Sequence, residues 1–369
     1  MREVGILTFH CADNFGAMLQ AYGLKTYLRG KGIEADIVPY EPPFMTGRHW
    51  WIPYVPIGSF EKILYLGWCG WIKNLKLGKK FFEQRANMKQ FRRRYLMGER
   101  KKKLIFIWQL RRLEYPYYIV GSDQIWNPDI TLGLRRAYFG AFESKNKKKV
   151  IAYAASMGKK FIADKYSMEF SDLLKSVDHI SVREKAAIPY INQFYKGDIC
   201  VVPDPVFLLK KDNWVAIEKL PDEVGYILVY MTERNDALIQ CARELAKKKG
   251  LLIIKIKGGP EAVGVNLITD YTAGPSEFLG YVHKADYVVT NSFHGVAFSI
   301  IYQKKFIVFQ HSSAGARISD ILELSGLEGR LYQEEDFQLD SHIEWSIVER
   351  RVKERVRSTE DFFIQCLQE

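Results

Sequence analysis

The stretch that decides the fold is VGILTFHCADNFGAMLQAYGLKTYLRGKGIEADIVPY, residues 4–40. It begins with a short apolar run, Val4–Phe9, which predicts a strand, and a polar loop follows. Apolar residues then recur at roughly helical spacing over Phe15–Arg29, and glycines end that predicted helix. Ile33–Tyr40 predicts a second strand. A strand, a helix and a strand in this order predict a parallel βαβ unit.

Outward from this unit, the same alternation resumes at residue 117 and continues to residue 309. The apolar runs predict strands at Tyr117–Gly121, Val150–Ala155, His179–Val182, Ile199–Val202, Tyr226–Met231, Leu251–Lys257, Ala285–Thr290 and Phe306–Phe309. Among the helical segments between them are those predicted around residues 161–176 and 183–194. Apolar runs separated by helical segments predict an α/β protein with parallel sheets. Pro203-Asp204-Pro205 marks the expected crossing between two domains. We therefore expect a first domain over residues 1–204 and a second over 205–345. Residues 346–369 predict a charged amphipathic helix that packs back on the first domain.

Residues 44–113 interrupt the alternation and predict a mostly helical insertion in the first domain. The insertion holds five of the eight Trp residues of the chain. Between Lys62 and Arg112 there are sixteen Lys or Arg residues and two acidic ones, whereas the rest of the chain has 38 basic and 41 acidic residues. The net charge of +11 therefore belongs to the insertion and says little about the partner of the core.

The composition, with 47% apolar and 26% charged residues, is that of an ordinary folded protein. Five cysteines without a C-x-x-C pair indicate neither a disulfide framework nor a zinc site, so we expect a cytoplasmic compartment. A strand-like segment follows Met1 almost directly, from which we expect no signal peptide. The apolar run Ile63–Ile72 is too short to span a bilayer, which takes about twenty residues. The sequence has no nucleotide-binding glycine motif and no nucleic-acid-binding module.

Four polar motifs lie where predicted strands end or predicted helices begin. Open α/β sheets bind ligands at the carboxyl ends of their strands, so these motifs are the candidate site. They are NFGAMLQAY at 14–22, GSDQIWNP at 121–128, VRE at 182–184 and SFHG at 292–295.

Each of the first two motifs has two interpretations. Asn14 is either a ligand-binding side chain or the N-cap of the first helix. In the second motif, Asp123 and Asn127 can hydrogen-bond hydroxyls, and Trp126 can stack on a sugar face. The alternative is an aspartate that stabilises the loop and a tryptophan that belongs to the core.

The last two motifs carry a cation and an imidazole. Arg183 can bind a carboxylate with about 1.5–3 kcal/mol, but its spacing alone favours an ion pair with Glu184 or another acid. His294 lies in a turn before a helix that Gly295 opens, where backbone N–H groups favour a phosphate. A histidine there is either a helix cap or a general acid, since its ordinary pKa is about 6.5.

In this order, the four motifs resemble those of the polysaccharide pyruvyl transferase family. The resemblance includes GPSEFLGYVHKADYVVTNSFHG at 274–295 and Arg317, and it covers roughly residues 4–40 and 115–330. It implies a GT-B-like pair of Rossmann-type domains that face a cleft. It also implies transfer of pyruvate from phosphoenolpyruvate to two hydroxyls of a sugar, which yields a cyclic ketal and phosphate.

On this resemblance, we expect His294 to protonate C3 of phosphoenolpyruvate and Asp123 to orient or deprotonate the acceptor hydroxyl. The expected donor-binding residues are Arg183, Ser292, Phe293, Gly295, Lys304 and Arg317. The expected acceptor-binding residues are Asn14, Gln124, Trp126 and Asn127. We expect no metal and no cofactor, because fixed cations can neutralise the leaving phosphate and phosphoenolpyruvate is a substrate.

Two other functions stay open: a nucleotide-sugar glycosyltransferase on the same fold, and a non-catalytic binder of anionic glycans or nucleic acid that uses the basic insertion. The polar motifs lie outside the insertion, which disfavours the binder, and we expect no nucleic-acid partner. Residues 50–103 themselves have two interpretations. One is a lid on the enzyme's own core. The other is an interfacial segment with Trp68 and Trp71 at headgroup depth, which suits a lipid-linked acceptor in capsule or exopolysaccharide synthesis at the inner face of the plasma membrane.

Overall fold

A computed structural model describes most of the chain. The described residues are 3–46, 68–69, 71–72, 75–76, 78–98, 102–256, 267–311, 315–333 and 341–368. Residues 47–67, which belong to the predicted insertion and include Trp50 and Trp51, therefore lie outside the described residues. Among the described residues, no helix is both long and apolar enough to cross a membrane.

The strands form two parallel sheets, one in each half of the chain. Their bounds are β1 Glu3–Leu7, β2 Glu34–Ile37, β3 Tyr117–Gly121, β4 Lys149–Ala155, β5 His179–Val182, β6 Ile199–Val201, β7 Tyr226–Tyr230, β8 Leu252–Ile256, β9 Leu267–Asp270, β10 Tyr287–Thr290 and β11 Lys305–Val308.

The helices lie mostly between these strands. Their bounds are α1 Phe15–Gly30, α2 Pro43–Thr46, α3 Lys79–Phe91, α4 Pro128–Thr131, α5 Ser167–Leu174, α6 Ile188–Ile191, α7 Lys211–Val215, α8 Asp236–Lys249, α9 Pro275–Lys284, α10 Phe293–Ile301, α11 Gly315–Ser325 and α12 Trp345–Gln368. The described part of the predicted insertion is mostly helical. It contains α3, the π-helical turn Arg92–Met97 that follows it, and the 3₁₀ helix Ile107–Arg112.

The first sheet has the strand order β2-β1-β3-β4-β5-β6, and every neighbouring pair is parallel. Because β1 lies between β2 and β3, the strand order reverses at β1 and β3. Ligands bind open parallel sheets outside the carboxyl ends of the strands at such a reversal. The loops after β1 and β3, which carry the first two motifs, therefore flank the expected position of a ligand.

The second sheet has the order β11-β10-β7-β8-β9 and is also parallel. Its strand order reverses between β7 and β10, and Thr290 at the end of β10 lies beside both Tyr230 and Val308. The SFHG motif follows β10 directly. It thus lies at the reversal of the second sheet, as the first two motifs do in the first sheet.

Tertiary contacts divide the chain into two units, each with one sheet. The first comprises Met1–Lys76, Lys89–Leu208 and Arg355–Glu369, and the second comprises Leu77–Met88 and Leu209–Glu354. In the first unit, the end of α12 packs on β4. The Tyr153 ring stacks on Phe363 with centroids 4.9 Å apart, and the Tyr153 hydroxyl lies 3.0 Å from Thr359 Oγ1. These buried aromatic contacts fix the last helix of the chain to the first sheet.

Two parallel sheets with intervening helices confirm the predicted α/β class, but one strand was missed and one predicted helix was wrong. Strand β9 was not predicted. The helix predicted over residues 183–194 is a 3₁₀ turn, Lys185–Ala187, followed by the four-residue helix α6. Pro189 in α6 has no N–H to donate to a preceding turn, which disfavours one continuous helix.

Candidate functional site

The reversal in the first sheet is held by hydrogen bonds among three elements. Thr8, which follows β1, donates from Oγ1 to the backbone oxygen of Ser122, which follows β3, at 3.4 Å. Gln20 on α1 donates from Nε2 to Thr8 Oγ1 at 2.7 Å. All three residues are buried. This network fixes the loops of the first two motifs against each other.

Asn14 is the N-cap of α1. Its Oδ1 accepts a hydrogen bond from the backbone N–H of Ala17 at 3.1 Å, and its backbone is extended, as an N-cap requires. The N-cap interpretation is therefore confirmed. The expected role of Asn14 in acceptor binding has no support from this geometry.

Asp123 has an unusual backbone conformation and is partly exposed. Its φ is 69°, a left-handed conformation that costs a non-glycine residue roughly 1–3 kcal/mol. Its Oδ1 accepts from the Gln124 N–H at 2.9 Å, and its backbone oxygen accepts from the Ser156 N–H at 3.2 Å. Within residues 121–128, all of them described, the other polar side chains are buried and Asp123 alone is partly exposed. A strained turn thus presents one carboxylate at the edge of the sheet.

Gln124 and Asn127, expected to bind the acceptor, hold the loop together instead. Asn127 donates from Nδ2 to Gln124 Oε1 at 2.8 Å, and its Oδ1 accepts from the Asp129 N–H at 3.0 Å as the N-cap of α4. Both side chains are buried. Gly158 makes room for them, because a Cβ there would lie 1.9 Å from Gln124 Oε1.

The prediction that Trp126 stacks on a sugar was wrong. Trp126 is completely buried, its ring stacks on Phe139 at 5.2 Å, and Phe170 packs edge-on at 5.9 Å. Its Nε1–H donates to the backbone oxygen of Tyr138 at 3.0 Å. With its ring covered and its polar atom bonded, Trp126 is the core residue that the alternative interpretation predicted.

Arg183 lies in a buried ion-pair network. It donates from Nη1 to Asp204 Oδ2 at 2.6 Å and from Nε to Glu184 Oε1 at 3.2 Å. The two carboxylates also accept from hydroxyls, since Ser122 Oγ donates to Asp204 at 3.3 Å and Ser156 Oγ to Glu184 at 2.7 Å. The ion pair with Glu184, the alternative that the spacing favoured, is confirmed.

The charge of this network disfavours an anionic ligand. Burial lowers the pKa of Arg183, but Glu184 and Asp204 raise it by more, and Asp123 also raises it, so the guanidinium stays protonated. One cation thus faces two buried carboxylates and a third nearby. This arrangement disfavours the expected role of Arg183 in binding the donor carboxylate, because two buried carboxylates already compensate its charge.

In the second unit, Asn291 joins the exits of β10 and β7. Its Oδ1 accepts from the Thr232 N–H at 3.0 Å, and its Nδ2 donates to the backbone oxygen of Glu233 at 2.7 Å. Asn291 is completely buried. The reversal of the second sheet is therefore rigidly defined at the residue that precedes the SFHG motif.

The SFHG motif forms the start of α10, tight against the end of β10. The Ser292 N–H donates to Thr290 Oγ1 at 3.0 Å, and a Cβ on Gly295 would lie 2.3 Å from the same oxygen. His294 is buried, with its ring edge-on to Phe293 at 5.1 Å. Backbone N–H groups in the first turn of a helix have no partner within the helix and attract anions. The structure thus brings Ser292, Phe293, His294 and Gly295 to one helix N-terminus.

Lys304, expected to bind the donor, lies at the amino ends of the strands, whereas the SFHG motif lies at their carboxyl ends. It precedes β11, whose first residue Lys305 is paired with Tyr287 at the start of β10. Crossing a four-residue strand takes about 10 Å, so Lys304 is distant from the SFHG motif. Burial and Lys211 lower the pKa of Lys304, whereas Asp286 and Glu218 raise it. The structure therefore does not bring Lys304 to the SFHG motif, because the helix between His294 and Lys304 carries the chain back across the sheet.

Arg317 is on the first turn of α11, buried, and electrostatically close to His311. His311 lies 3.4 Å from Glu233, measured from Nδ1 to Oε2. Neither His311 nor Glu233 is among the predicted site residues. One signal was available for His311: it follows the predicted strand Phe306–Phe309, as His294 follows its own strand.

Comparison with known proteins identifies the family. A family model described as polysaccharide pyruvyl transferase matches residues 14–313. Comparison with curated proteins gives no match. Among solved structures, E. coli heptosyltransferase WaaC with ADP is 14% identical, with 96% of this chain and 100% of that chain covered and a TM-score of 0.41. S. aureus MnaA with UDP is 12% identical, with 99% and 91% covered and a TM-score of 0.47. SsfS6, a glycosyltransferase of Streptomyces sp. SF2575, is 12% identical, with both chains fully covered and a TM-score of 0.41.

These structural likenesses are distant and carry no conclusion about the reaction. The family match is of another kind, because it spans all four motifs in their order and most of the chain. The chain therefore belongs to the polysaccharide pyruvyl transferase family and is a pyruvyl-transferring enzyme.

Proposed function

We propose that the enzyme transfers pyruvate from phosphoenolpyruvate to two hydroxyls of one sugar in a saccharide, with a cyclic ketal and phosphate as products. The observation that carries the proposal is a contrast in charge between the groups at the carboxyl ends of the strands in the first sheet and those in the second. The second unit presents His294, a helix N-terminus and Arg317. The first unit presents Asp123 above an acidic network. The first set suits an anion, and the second suits groups that donate hydrogen bonds.

The donor-binding role belongs to the second unit in this proposal. Phosphoenolpyruvate carries a phosphate and a carboxylate, and the start of α10 favours an anion by roughly 0.3–1 kcal/mol before direct hydrogen bonds. A guanidinium such as that of Arg317 can bind a carboxylate or phosphate through two parallel bonds. His294 supplies the proton for C3, which makes C2 electrophilic. The proposal includes no metal and no cofactor.

The acceptor-binding role belongs to the first unit. Asp123 orients the first attacking hydroxyl and accepts its proton when oxygen bonds to C2. Arg183 supports this role indirectly, because its ion pairs hold the network beneath Asp123. This division replaces the expectation that Arg183 binds the donor.

The direct test is phosphate release from phosphoenolpyruvate with a panel of galactosyl, mannosyl and glucosyl acceptors. We expect release that depends on one class of acceptor, together with a new ketal methyl signal in the carbon NMR spectrum. Turnover of a nucleotide sugar without use of phosphoenolpyruvate would support the glycosyltransferase alternative instead.

We also propose that the acceptor is lipid-linked and that the enzyme attaches to an anionic membrane surface at the site of capsule or exopolysaccharide synthesis. Trp68 is 58% exposed, and its ring lies 5.0 Å from that of Trp71. Phe106 and Trp108 are exposed with stacked rings, and Arg112 lies over Trp108 at 5.4 Å. Exposed aromatic rings beside cations suit the headgroup region of an anionic bilayer.

A further inference from the structure

The contact between His311 and Glu233 passes over the exit of β10. His311 follows β11 and Glu233 follows β7, and β10 lies between these two strands in the sheet. Strands two positions apart are separated by about 10 Å, whereas Nδ1 and Oε2 lie 3.4 Å apart, so the segments that follow β11 and β7 converge on each other beyond the strand ends. The pair therefore lies across the turn that carries His294.

The same turn anchors the pair. Asn291, three residues before His294, donates to the backbone oxygen of Glu233 at 2.7 Å. On the other side, the Phe309 N–H donates to the Thr290 oxygen at 2.8 Å, which joins the exits of β11 and β10. The His311 side chain is 12% exposed and that of Glu233 is 39% exposed. The imidazole is thus largely enclosed, while its carboxylate partner reaches solvent.

Among the described residues, Glu233 and Arg317 act electrostatically on the His311 imidazole. Burial lowers the pKa of His311, Glu233 at the exit of β7 raises it, and Arg317 on α11 lowers it. A carboxylate beside Nδ1 favours the tautomer that carries its proton on that nitrogen, and proton exchange then takes place at Nε2. The arrangement is therefore that of a histidine–carboxylate pair beside the proposed donor site.

We infer that His311 is a second proton-transfer residue of pyruvyl transfer and that Glu233 is its positioning residue. The inference rests on the proposed function and on a proton count. Both acceptor hydroxyls lose their protons in ketal formation, whereas the products gain one proton on C3 and one on phosphate. His294 and Asp123 serve the first addition, and no role above covers the second hydroxyl.

The second step balances with His311. The bond between C2 and the phosphate oxygen breaks, and the second hydroxyl oxygen bonds to C2. His311 Nε2 takes the proton of that hydroxyl and passes it to the departing phosphate. No oxidant, reductant or further reactant is needed.

The test separates the two proton transfers. Exchange of the C3 hydrogens of phosphoenolpyruvate in D₂O, with acceptor present, reports the first addition, and phosphate release reports the complete reaction. We expect His311→Gln to lower phosphate release by about 10²-fold or more and to retain the exchange. His294→Gln should lose both.

The matched control is another histidine–glutamate pair in the second unit. His283 Nδ1 lies 2.8 Å from Glu218 Oε1. His283 is at the end of α9, which leads to the start of β10 and so to the amino ends of the strands, away from His294. His283→Gln should leave exchange and phosphate release unchanged. Glu233→Gln should move the acid limb of the kcat profile to lower pH, because Glu233 raises the pKa of His311. A merely structural role of Glu233 would leave this profile in place.

Phosphate release at the wild-type rate in His311→Gln would overturn the inference. Equal loss of exchange and release in a variant that melts like the wild type would overturn it too. If His311→Gln does not fold, the same criteria apply to His311→Asn. A wild-type enzyme that releases no phosphate from phosphoenolpyruvate with any saccharide would contradict the proposed function, and this inference with it.

Discussion

Arg183 donates from Nη1 to Asp204 Oδ2 at 2.6 Å, and both side chains are buried. Arg183, the arginine of the VRE motif that could have bound an anionic substrate, is therefore paired with a carboxylate of its own domain. Its second partner, Glu184, is buried as well. The structure thus favours a supporting role for the VRE motif beneath the edge of the first sheet.

The first prediction concerns this ion pair. Arg183→Ala leaves two buried carboxylates without their cation, so we expect the free energy of unfolding to fall by about 3–5 kcal/mol. Urea denaturation measures this. The control is Lys145→Ala, whose pair with Glu114 at 3.1 Å is exposed and should contribute less than about 1 kcal/mol. Wild-type stability of Arg183→Ala, with a raised KM for phosphoenolpyruvate alone, would restore Arg183 to the donor site.

The second prediction concerns the loop that carries Asp123. Gly158→Ala places a Cβ 1.9 Å from Gln124 Oε1 on a residue with a φ of 69°. Gly133→Ala is the control, because its φ is 91° but no atom lies within 4 Å of the added Cβ. We expect roughly 1 kcal/mol of backbone strain in both variants and additional destabilisation in Gly158→Ala alone. Equal losses of unfolding free energy in the two variants would show that the loop accommodates the added Cβ of Gly158→Ala without further cost.

The third prediction concerns His10, which is completely buried, with Nδ1 3.2 Å from the Thr8 oxygen. Burial lowers its pKa to about 4, while Glu41 raises the pKa in part. Below about pH 6.5, His10 binds a proton in the unfolded chain but not in the native state. Its contribution to the free energy of unfolding is therefore fully present above that pH and is lost as the pH falls toward 4. We expect His10 to contribute about 3 kcal/mol of this loss between pH 6.5 and 4.

The measurement is the difference in unfolding free energy between pH 7.5 and 4.5. His10→Asn, whose amide can occupy the position of Nδ1, should reduce this difference. His342→Gln, which alters an exposed imidazole, should not. The same pH dependence in wild type and His10→Asn would refute the assignment.

The fourth prediction concerns the proposed membrane surface. The wild type should co-sediment with vesicles that contain anionic lipid and be released at high salt, because each Lys or Arg near the bilayer contributes about 1 kcal/mol. Trp68→Ser with Trp71→Ser should weaken this binding. Phe161→Ser, which removes another exposed ring, is the control. Equal recovery in the supernatant with and without anionic lipid, at low salt, would exclude the membrane surface and leave pyruvyl transfer untouched.

The sequence predicted the strands and the places of the four motifs along the fold well, because both depend on local patterns. Apolar runs between polar turns located β1, β3, β5 and β10 to within two residues at either end. Each of the four motifs was predicted at the end of a strand or the start of a helix, and each is there. Strand β9 escaped because its four residues, LITD, are not fully buried and carry no continuous apolar run.

The roles of single side chains were harder to predict because they depend on distant partners. Trp126 is covered by Phe139 and Phe170, and Arg183 is neutralised by Asp204, all of them outside the motif concerned. Lys304 is close to the SFHG motif in sequence but lies at the amino ends of the strands. His311 lies beside Glu233, which is 78 residues earlier in the chain. Only the tertiary structure reveals these relationships.

The central claim is that His294 protonates phosphoenolpyruvate in a transfer of pyruvate to a saccharide. The most direct measurement is phosphate release from phosphoenolpyruvate, with and without acceptor, by the wild type and His294→Gln. We predict acceptor-dependent release by the wild type and a loss of about 10²–10⁴-fold in kcat in the variant, with unchanged melting. Near-normal kcat in a folded His294→Gln variant would contradict the claim and make His294 a helix cap.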